Sequence, residues 1–332
     1  MNGSSLLGFA IPTYRRPELL DKALESIVPQ AVGLEAPIYI PDNSCDDTNS
    51  KVVTKWQKIY PNIVHDINES NIGIDRNVDR AITGCPATYV HVIGDDDLIL
   101  PGFAAQATRV IEEYSPWHII CSYMYLLNDY RPTTGKSIIP AGGHITSLRT
   151  FLPRSVCTLG FIGAHIFNRA RFSSSTTEAY GSYFHHVARL ISYIDPDEQI
   201  GFIDQPLVGN RVDDESTPTW SADRLNVVFG LEKTFSVAMS DLYSRTEIDA
   251  TIASTRRSLG YTQYFRLVYW AALADRSGHG AAYWNTLGRL VGPTQYIRMK
   301  IFPAFLYGPL VTMIPQIRRL KRGIRASRLA KS

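Results

Sequence analysis

Three consecutive carboxylates follow an apolar, β-branched run in Val90-His91-Val92-Ile93-Gly94-Asp95-Asp96-Asp97, and Leu98-Ile99-Leu100-Pro101-Gly102 closes the stretch on a turn signal. A run of this kind forms a buried strand, so the acids stand at its exposed end. Adjacent carboxylates repel, and a chain keeps them together only where a cation or solvent screens the charge. A solvated acidic turn fits the same pattern, because charge runs are usually solvated faces. The flanking sequence has to separate the two readings.

Upstream, one unit occurs three times. Leu6 to Ile11 reads as a strand, Pro12-Thr13-Tyr14-Arg15-Arg16-Pro17 as a loop, and Glu18 to Val28 as a helix with Leu19, Leu20, Ala23, Leu24 and Ile27 on one face. Ile38-Tyr39-Ile40 then leads through Pro41-Asp42-Asn43-Ser44-Cys45-Asp46-Asp47-Thr48 into a helix ending near Trp56. The third unit carries Asn68-Glu69-Ser70-Asn71-Ile72-Gly73-Ile74-Asp75-Arg76-Asn77 and a helix over Val78 to Thr83, and it runs into the acidic strand. Successive β-α units predict a mostly parallel sheet with right-handed crossovers, whose strand ends converge on one crevice. No G-x-G-x-x-G and no G-x-x-x-x-G-K-[ST] is present, so neither a dinucleotide loop nor a P-loop is indicated. Asp42-x-Ser44-x-Asp46 is not a calcium loop, since Asp47 replaces the required Gly and no Glu stands at the twelfth position.

These motifs together resemble the family-2 glycosyltransferases of the GT-A fold. The resemblance rests on Ile11-Pro12-Thr13-Tyr14, Asp42-Asn43-Ser44, Asn71-x-Gly73 and Asp95-Asp96-Asp97-Leu98-x-Leu100-Pro101-Gly102-Phe103, in order over about residues 5–110. The stretch Asn71 to Asn77 and a Gly at position 94 are similar to bacterial abequosyltransferase-type enzymes of O-antigen assembly. The resemblance implies a nucleotide-sugar site built from Pro12, Thr13, Tyr14, Arg15, Asp42, Asn43, Ser44, Asn71, Gly73, Arg76 and Asp95. It also implies a divalent metal, magnesium or manganese, on Asp96 and Asp97. In the family motif the first Asp falls at Gly94 of this chain, Asp95 takes the variable place, and Asp96 is the matching metal carboxylate. Magnesium typically takes one or two protein carboxylates plus substrate phosphates, so a sparse site suffices.

About ninety residues after the metal motif such enzymes usually carry a Glu-Asp pair whose Asp deprotonates the acceptor. Here the place reads Gly181-Ser182-Tyr183-Phe184-His185-His186-Val187, with no acid. The candidate bases are therefore His185, His186 and Glu178, since an imidazole can accept a proton near neutral pH. Val187 fits the apolar position after the usual pair, which favours His185.

The 332 residues suit one α/β domain with an appendage, and 45% hydrophobic against 20% charged residues is an ordinary globular composition. The expected catalytic domain spans 1–219, with a nucleotide half (1–110) and an acceptor half (111–219). A helical region with a basic tail follows over 220–332, including helices over Leu225 to Met239, Ile248 to Leu259 and Tyr261 to Ala274. After Asp275 there is no acid, while 11 Lys and Arg remain. Taking these from the net charge of +3 leaves −8 on residues 1–275. An acidic body is not a nucleic-acid binder's distribution. Ile301 to Ile314 is apolar but only 14 residues long, too short to span a bilayer. With the basic residues behind it, it suits an element lying on anionic lipid. The four cysteines have no metal or disulfide spacing and no signal peptide is seen, so the body reads as cytoplasmic and the enzyme as peripheral on the inner membrane.

The expected activity is transfer of a sugar from a nucleoside-diphosphate donor to a saccharide acceptor, polyprenyl-linked, in surface polysaccharide or O-antigen synthesis. A sugar-phosphate nucleotidyltransferase would show a Gly-rich basic loop after the first strand, where this chain has Pro12-Thr13-Tyr14-Arg15. A non-catalytic carbohydrate-binding or scaffold protein would fail to hydrolyse a donor with metal.

Overall fold

In the computed structural model, residues 5–137, 145–174, 184–211 and 224–255 are described. The expected helix over Tyr261 to Ala274, the apolar stretch after Ile301, the basic tail and Glu178 lie outside them.

The three β-α units form as the periodicity predicts. They are β1 (Ser5–Ala10), α1 (Pro17–Val32), β2 (Ile38–Asp42), α2 (Ser50–Gln57), β3 (Ile63–Ile67) and α3 (Ile74–Gly84), followed by β4 (Ala87–Val92). Each helix has an apolar stripe: α1 buries Leu20, Ala23, Leu24, Ile27, Val28 and Ala31 against the sheet. Pro17 at the head of α1 is tolerated because the first helical N–H has no intrahelical partner in any case. The acidic loop leads into β5 (Leu98–Ile99) and α4 (Phe103–Tyr114).

The second half is β6 (His118–Leu126), β7 (Pro132–Ser137), β8 (Ile145–Ser147), α5 (Leu148–Leu159), β9 (His165–Asn168), α6 (Arg169–Ser174), α7 (His185–Tyr193), β10 (Gln199–Arg211) and α8 (Arg224–Ala238). One sheet runs β3-β2-β1-β4-β9-β6-β10-β5, with β7 beside β6 and β8 beside β10. The nucleotide half is parallel throughout, β1 lying between β2 and β4. The expectation of a mostly parallel sheet is corrected past β4: β9 lies antiparallel to both β4 and β6, and β5, β7 and β8 pair antiparallel too. β10 pairs parallel with β6, and for β7 the reason for the change is connection length. β6 and β7 are joined by a tight turn, which permits only antiparallel pairing, whereas a parallel neighbour needs a crossover.

Two apolar layers sandwich the sheet. One contains α1, α4 and the outer faces of β1 and β2, through Phe9, Ile11, Leu24, Ile38 and Phe103. The other contains α3, α5, α7 and α8, through Val78, Leu152, Phe167, Leu190 and Phe235. The chain divides into two compact units at Thr255. Leu231, Phe235, Met239 and Ile248 belong to the second layer of the first unit, so residues beyond the expected boundary at 219 pack with the α/β body.

Candidate functional site

β1, β2 and β4 all end at one edge of the sheet, and their loops are tied there by side chains. Asp95 is buried and accepts a hydrogen bond from the Thr13 hydroxyl at 2.8 Å, which fastens the loop after β1 to the acidic strand end. Arg16 donates to Asp95 at 3.3 Å and to Asp96 at 3.4 Å. From the far side the Arg211 backbone N–H donates to Asp97 at 2.8 Å, and its guanidinium stands 3.9 Å from Asp96. The acidic run is thus bracketed by two arginines contributed by α1's entry loop and the end of β10.

Asp95 and Asp97 sit in a costly place. Burial, and then the charge of Asp96, push Asp95 up to about 6 against the pull of Arg16 and Thr13. The same two causes push Asp97 well above the carboxylate range, against the Arg211 N–H. Asp96, half-buried, is the most open of the three.

Gly94 explains why the family's first Asp is missing. An ideal Cβ there would lie 2.7 Å from Oδ2 of Asp97 and 3.0 Å from Oδ1 of Asp96, so both carboxylates fold back over the glycine. Two oxygens therefore converge on the space a side chain would fill. A pair of converging carboxylate oxygens, with Asp96 the more exposed, suits magnesium or manganese completed by phosphate and water. Among the described residues no group of three or more His, Cys, Asp or Glu side chains is arranged to hold a metal unaided.

The expected nucleotide residues are brought together, but several are builders rather than contacts. Asp42 is fully buried. Its oxygens accept from the Ser44 N–H at 2.9 Å and from Asn49 at 3.0 Å, and one meets His65 Nε2 at 2.9 Å. Burial opposes the charge, yet these bonds hold the carboxyl below its usual value. Asn43 links two loops: its amide donates to Asn71 at 2.7 Å, and its carbonyl accepts from Asn68 and from the Ile72 N–H, each at 3.0 Å. Ser44 accepts from the Arg15 N–H at 2.9 Å. Gly73 caps α3 at φ 81°, a conformation that glycine adopts without a Cβ penalty.

The surfaces left facing outward are Tyr14, Arg15, Asn71 and Arg76, all exposed, with Pro12 half-buried beside them. The Arg15 guanidinium pairs with Asp46 at 2.8 Å and lies 5.8 Å from the Tyr14 ring centroid.

His185 and His186 are corrected to core residues. They are 1% and 4% exposed. His185 Nε2 meets Asp79 of α3 at 3.0 Å, and Arg189 donates to the same oxygen at 3.1 Å. His186 donates to the Leu159 carbonyl at 3.1 Å. An acceptor hydroxyl arrives from solvent, which rings buried to this degree do not meet. The sequence reading missed Arg16, His65, Asn49 and Arg211. Only Arg16 had a local signal, standing beside the flagged Arg15; the others are set by pairings across the fold.

The model of the family described as glycosyl transferase family 2 matches residues 9–172. Abequosyltransferase RfbV of Salmonella typhimurium is 24% identical over 227 residues, 64% of this chain and 68% of that protein. Among solved structures, S. aureus TarS 1–349 in complex with UDP-GlcNAc superposes at a TM-score of 0.61 with 14% identity, covering 89% of this chain and 83% of that one. A mannosyltransferase from Pyrobaculum calidifontis, in complex with GDP-Man and Mn2+, gives 0.56 at 14% identity, over 92% and 81%. The latter two share the fold. Since the family match spans the loops after β1, β2, β3 and β4 that build the cluster, the chain belongs to glycosyl transferase family 2.

Proposed function

We propose that this glycosyltransferase takes its sugar from a nucleoside-diphosphate donor with the help of a divalent cation, and passes it to a lipid-linked saccharide. The convergence of Asp96 and Asp97 over Gly94, between Arg16 and Arg211, carries the reading. Breaking the bond between sugar and phosphate leaves a nucleoside diphosphate with a new negative charge. Asp96 and Asp97 would hold magnesium or manganese. When bound, such an ion neutralises leaving-group oxygens without proton transfer.

The remaining steps fall to the chain. Arg16 and Arg211 are positioned to donate to diphosphate oxygens, exchanging an aspartate partner for a phosphate. The loop of Pro12 to Arg15, held by Thr13 on Asp95 and by Ser44, and the loop at Asn71, held by Asn43, form two walls for the base and ribose. Exposed Tyr14 offers a face for stacking. With His185 and His186 buried, this reading gives the acceptor proton to Glu178, the third of the expected bases. Docking on anionic lipid rests on the 11 basic residues after Asp275, and places the enzyme on the cytoplasmic face of the inner membrane in surface-polysaccharide or O-antigen synthesis. A TarS complex with UDP-GlcNAc and a mannosyltransferase complex with GDP-Man and Mn2+ on the same fold support a nucleotide-sugar donor and a metal.

A panel of UDP, GDP, CDP, ADP and dTDP with and without Mn2+, read by thermal shift, tests this. At one fixed concentration, a hundred times its Kd in Mn2+, one nucleotide is expected to add about 2.7 kcal/mol with the metal and less without it. No shift from any nucleotide would overturn the donor reading, and equal shifts with and without Mn2+ would overturn the metal.

A further inference from the structure

The turn between β6 and β7 holds a tyrosine in a conformation tyrosine rarely adopts. Tyr130 has φ 62°, in the left-handed region where a Cβ is unfavourable. Its N–H donates to the Leu127 carbonyl at 2.8 Å, and the Leu127 N–H donates to Arg131 at 2.9 Å, so the tight turn itself imposes this conformation. Glycine or asparagine would relieve it. A bulky residue kept at such a position is a sign of function to be looked for at the side chain.

The side chain reaches back toward the acidic run. β6 and β10 are paired so that Leu126 lies opposite Arg211, which sets the turn beside the end of β10. The Arg211 guanidinium lies 5.9 Å from the Tyr130 ring centroid and 3.9 Å from Asp96, and its Nε donates to the Asn128 carbonyl in the same turn at 3.4 Å. The charges of Asp95, Asp96 and Asp97 all act on the phenol, and with burial first among the causes it is pushed up to about 12. The hydroxyl stays protonated at neutral pH and is a donor. Yet it is buried and has no hydrogen-bond partner among the described residues. A buried hydroxyl with no partner is unfavourable, and each one calls for a reason, of which an acceptor on a bound ligand is one.

We propose that Tyr130 is a donor-contacting residue, its hydroxyl giving a hydrogen bond to a diphosphate oxygen of the bound nucleotide. A diphosphate seated between Arg16 and Arg211 puts anionic oxygens beside the ring, and a neutral donor there adds no charge to be neutralised. The inference rests on the nucleotide-donor reading above. It explains two observations together, the strained turn and the unmatched hydroxyl, by one contact.

The test uses the full chain and whichever of UDP, GDP, CDP, ADP and dTDP binds the wild type most tightly in Mn2+. Tyr130→Phe keeps the ring, the turn and the Arg211 contact and removes only the hydroxyl. Calorimetry is expected to show about a tenfold higher Kd for the diphosphate, as for loss of a hydrogen bond to a charged group. The matching monophosphate should bind both proteins alike, and the melting temperature should not fall. Tyr130→Gly, which removes the ring and its Arg211 contact as well as the hydroxyl, is expected to weaken the diphosphate at least as much. A structural tyrosine would give the reverse, lower stability and unchanged binding. The proposal is overturned if Tyr130→Phe binds the diphosphate as the wild type does, or if the monophosphate weakens equally. If the wild type binds none of the five nucleotides, it is the donor reading that fails.

Discussion

Two of the polar clusters among the described residues are built on opposite principles. In the core, the Tyr193 hydroxyl donates to His118 Nδ1 at 3.0 Å, His118 Nε2 to His165 Nδ1 at 2.9 Å, and His165 Nε2 to the Leu159 carbonyl at 2.9 Å. His186 donates to that carbonyl as well, and the carbonyl's two lone pairs accept both. A carbonyl can only accept, so it fixes the tautomer of each ring that meets it, and the order of donors runs back to Tyr193 without a gap. At the sheet edge, Asp95 to Asp97 are three acceptors with too few donors, and two arginines partly offset them. The core cluster closes on itself and is neutral. The edge cluster does not close, and the imbalance is what the proposed cation and diphosphate would offset. A buried polar network that satisfies itself is scaffold, whereas one left in charge deficit is a site.

Removing a carboxylate from the edge should have the largest effect. Asp96→Asn is expected to lower transfer by about a hundredfold or more, because several kcal/mol of leaving-group stabilisation depends on it. Its melting temperature should hold or rise, since one of three repelling charges is gone. Retained transfer, or transfer indifferent to a chelator, would break the contrast.

Acid should act on the two clusters in opposite directions. Burial lowers His91 and His165 to about 4, and burial with neighbouring imidazoles takes His118 and His186 well below their ordinary 6.5. Between pH 6.5 and about 4 the unfolded chain binds protons that the folded chain refuses, so stability falls as the pH falls. Asp95 is raised to about 6 and Asp97 well above the carboxylate range, so both take up protons in the fold before they do in the unfolded chain and gain stability on acidification. With four such histidines set against two aspartates, the histidines are expected to decide the sign. A net loss of several kcal/mol between pH 7 and 4.5 is expected in urea titrations. The Mn2+-dependent thermal shift should shrink over the same window, because protons compete at the carboxylates. Stability that rises on acidification would put the histidines in solvent.

Gly94→Ala sharpens the edge further. Its Cβ would force the Asp96 and Asp97 oxygens apart. Since both are ends of short side chains, the fold should lose only about 1 kcal/mol, as overpacking of this size does at its mild end. Mn2+ affinity, read by calorimetry, should fall about tenfold. Unchanged affinity would mean the cation sits elsewhere.

What was legible in the sequence follows this division. Period and punctuation sufficed for the parallel half: the predicted helix over Glu18 to Val28 lies inside α1, and the predicted helix over Leu225 to Met239 coincides with α8 to within a residue at each end. The acidic strand end could be read because three like charges after an apolar run need a reason. The antiparallel insertion of β9 could not, since no local pattern states which strands will be neighbours. Nor could the second arginine, as Arg211 meets Asp97 across 114 positions. Asp42 was rightly placed at a strand end, but its partner His65 lies 23 positions on, in an edge strand with nothing to mark it.

His185 shows how position in sequence misleads when burial is unknown, and its substitution should have the smallest effect on catalysis. It stands where the family resemblance implies an acid, but at the head of α7 its ring turns inward to Asp79, whose oxygen Arg189 also holds. Arg189 in turn donates to the Phe172 carbonyl at 2.5 Å and stacks on the Phe172 ring at 4.1 Å, so the pair bolts α7 to α3 and α6. His185→Ala removes one donor to Asp79 and leaves Arg189 in place. A loss of about 1 to 3 kcal/mol in stability is expected from the hydrogen bond and the space left. Transfer per folded molecule, at saturating donor and well below the melting temperature, should stay within about threefold of wild type. Arg189→Ala should cost stability as much or more with the same indifference in rate. If His185→Ala instead abolishes transfer while nucleotide binding and the melting temperature are unchanged, the ring reaches the acceptor in the working enzyme, and the core cluster extends into the site.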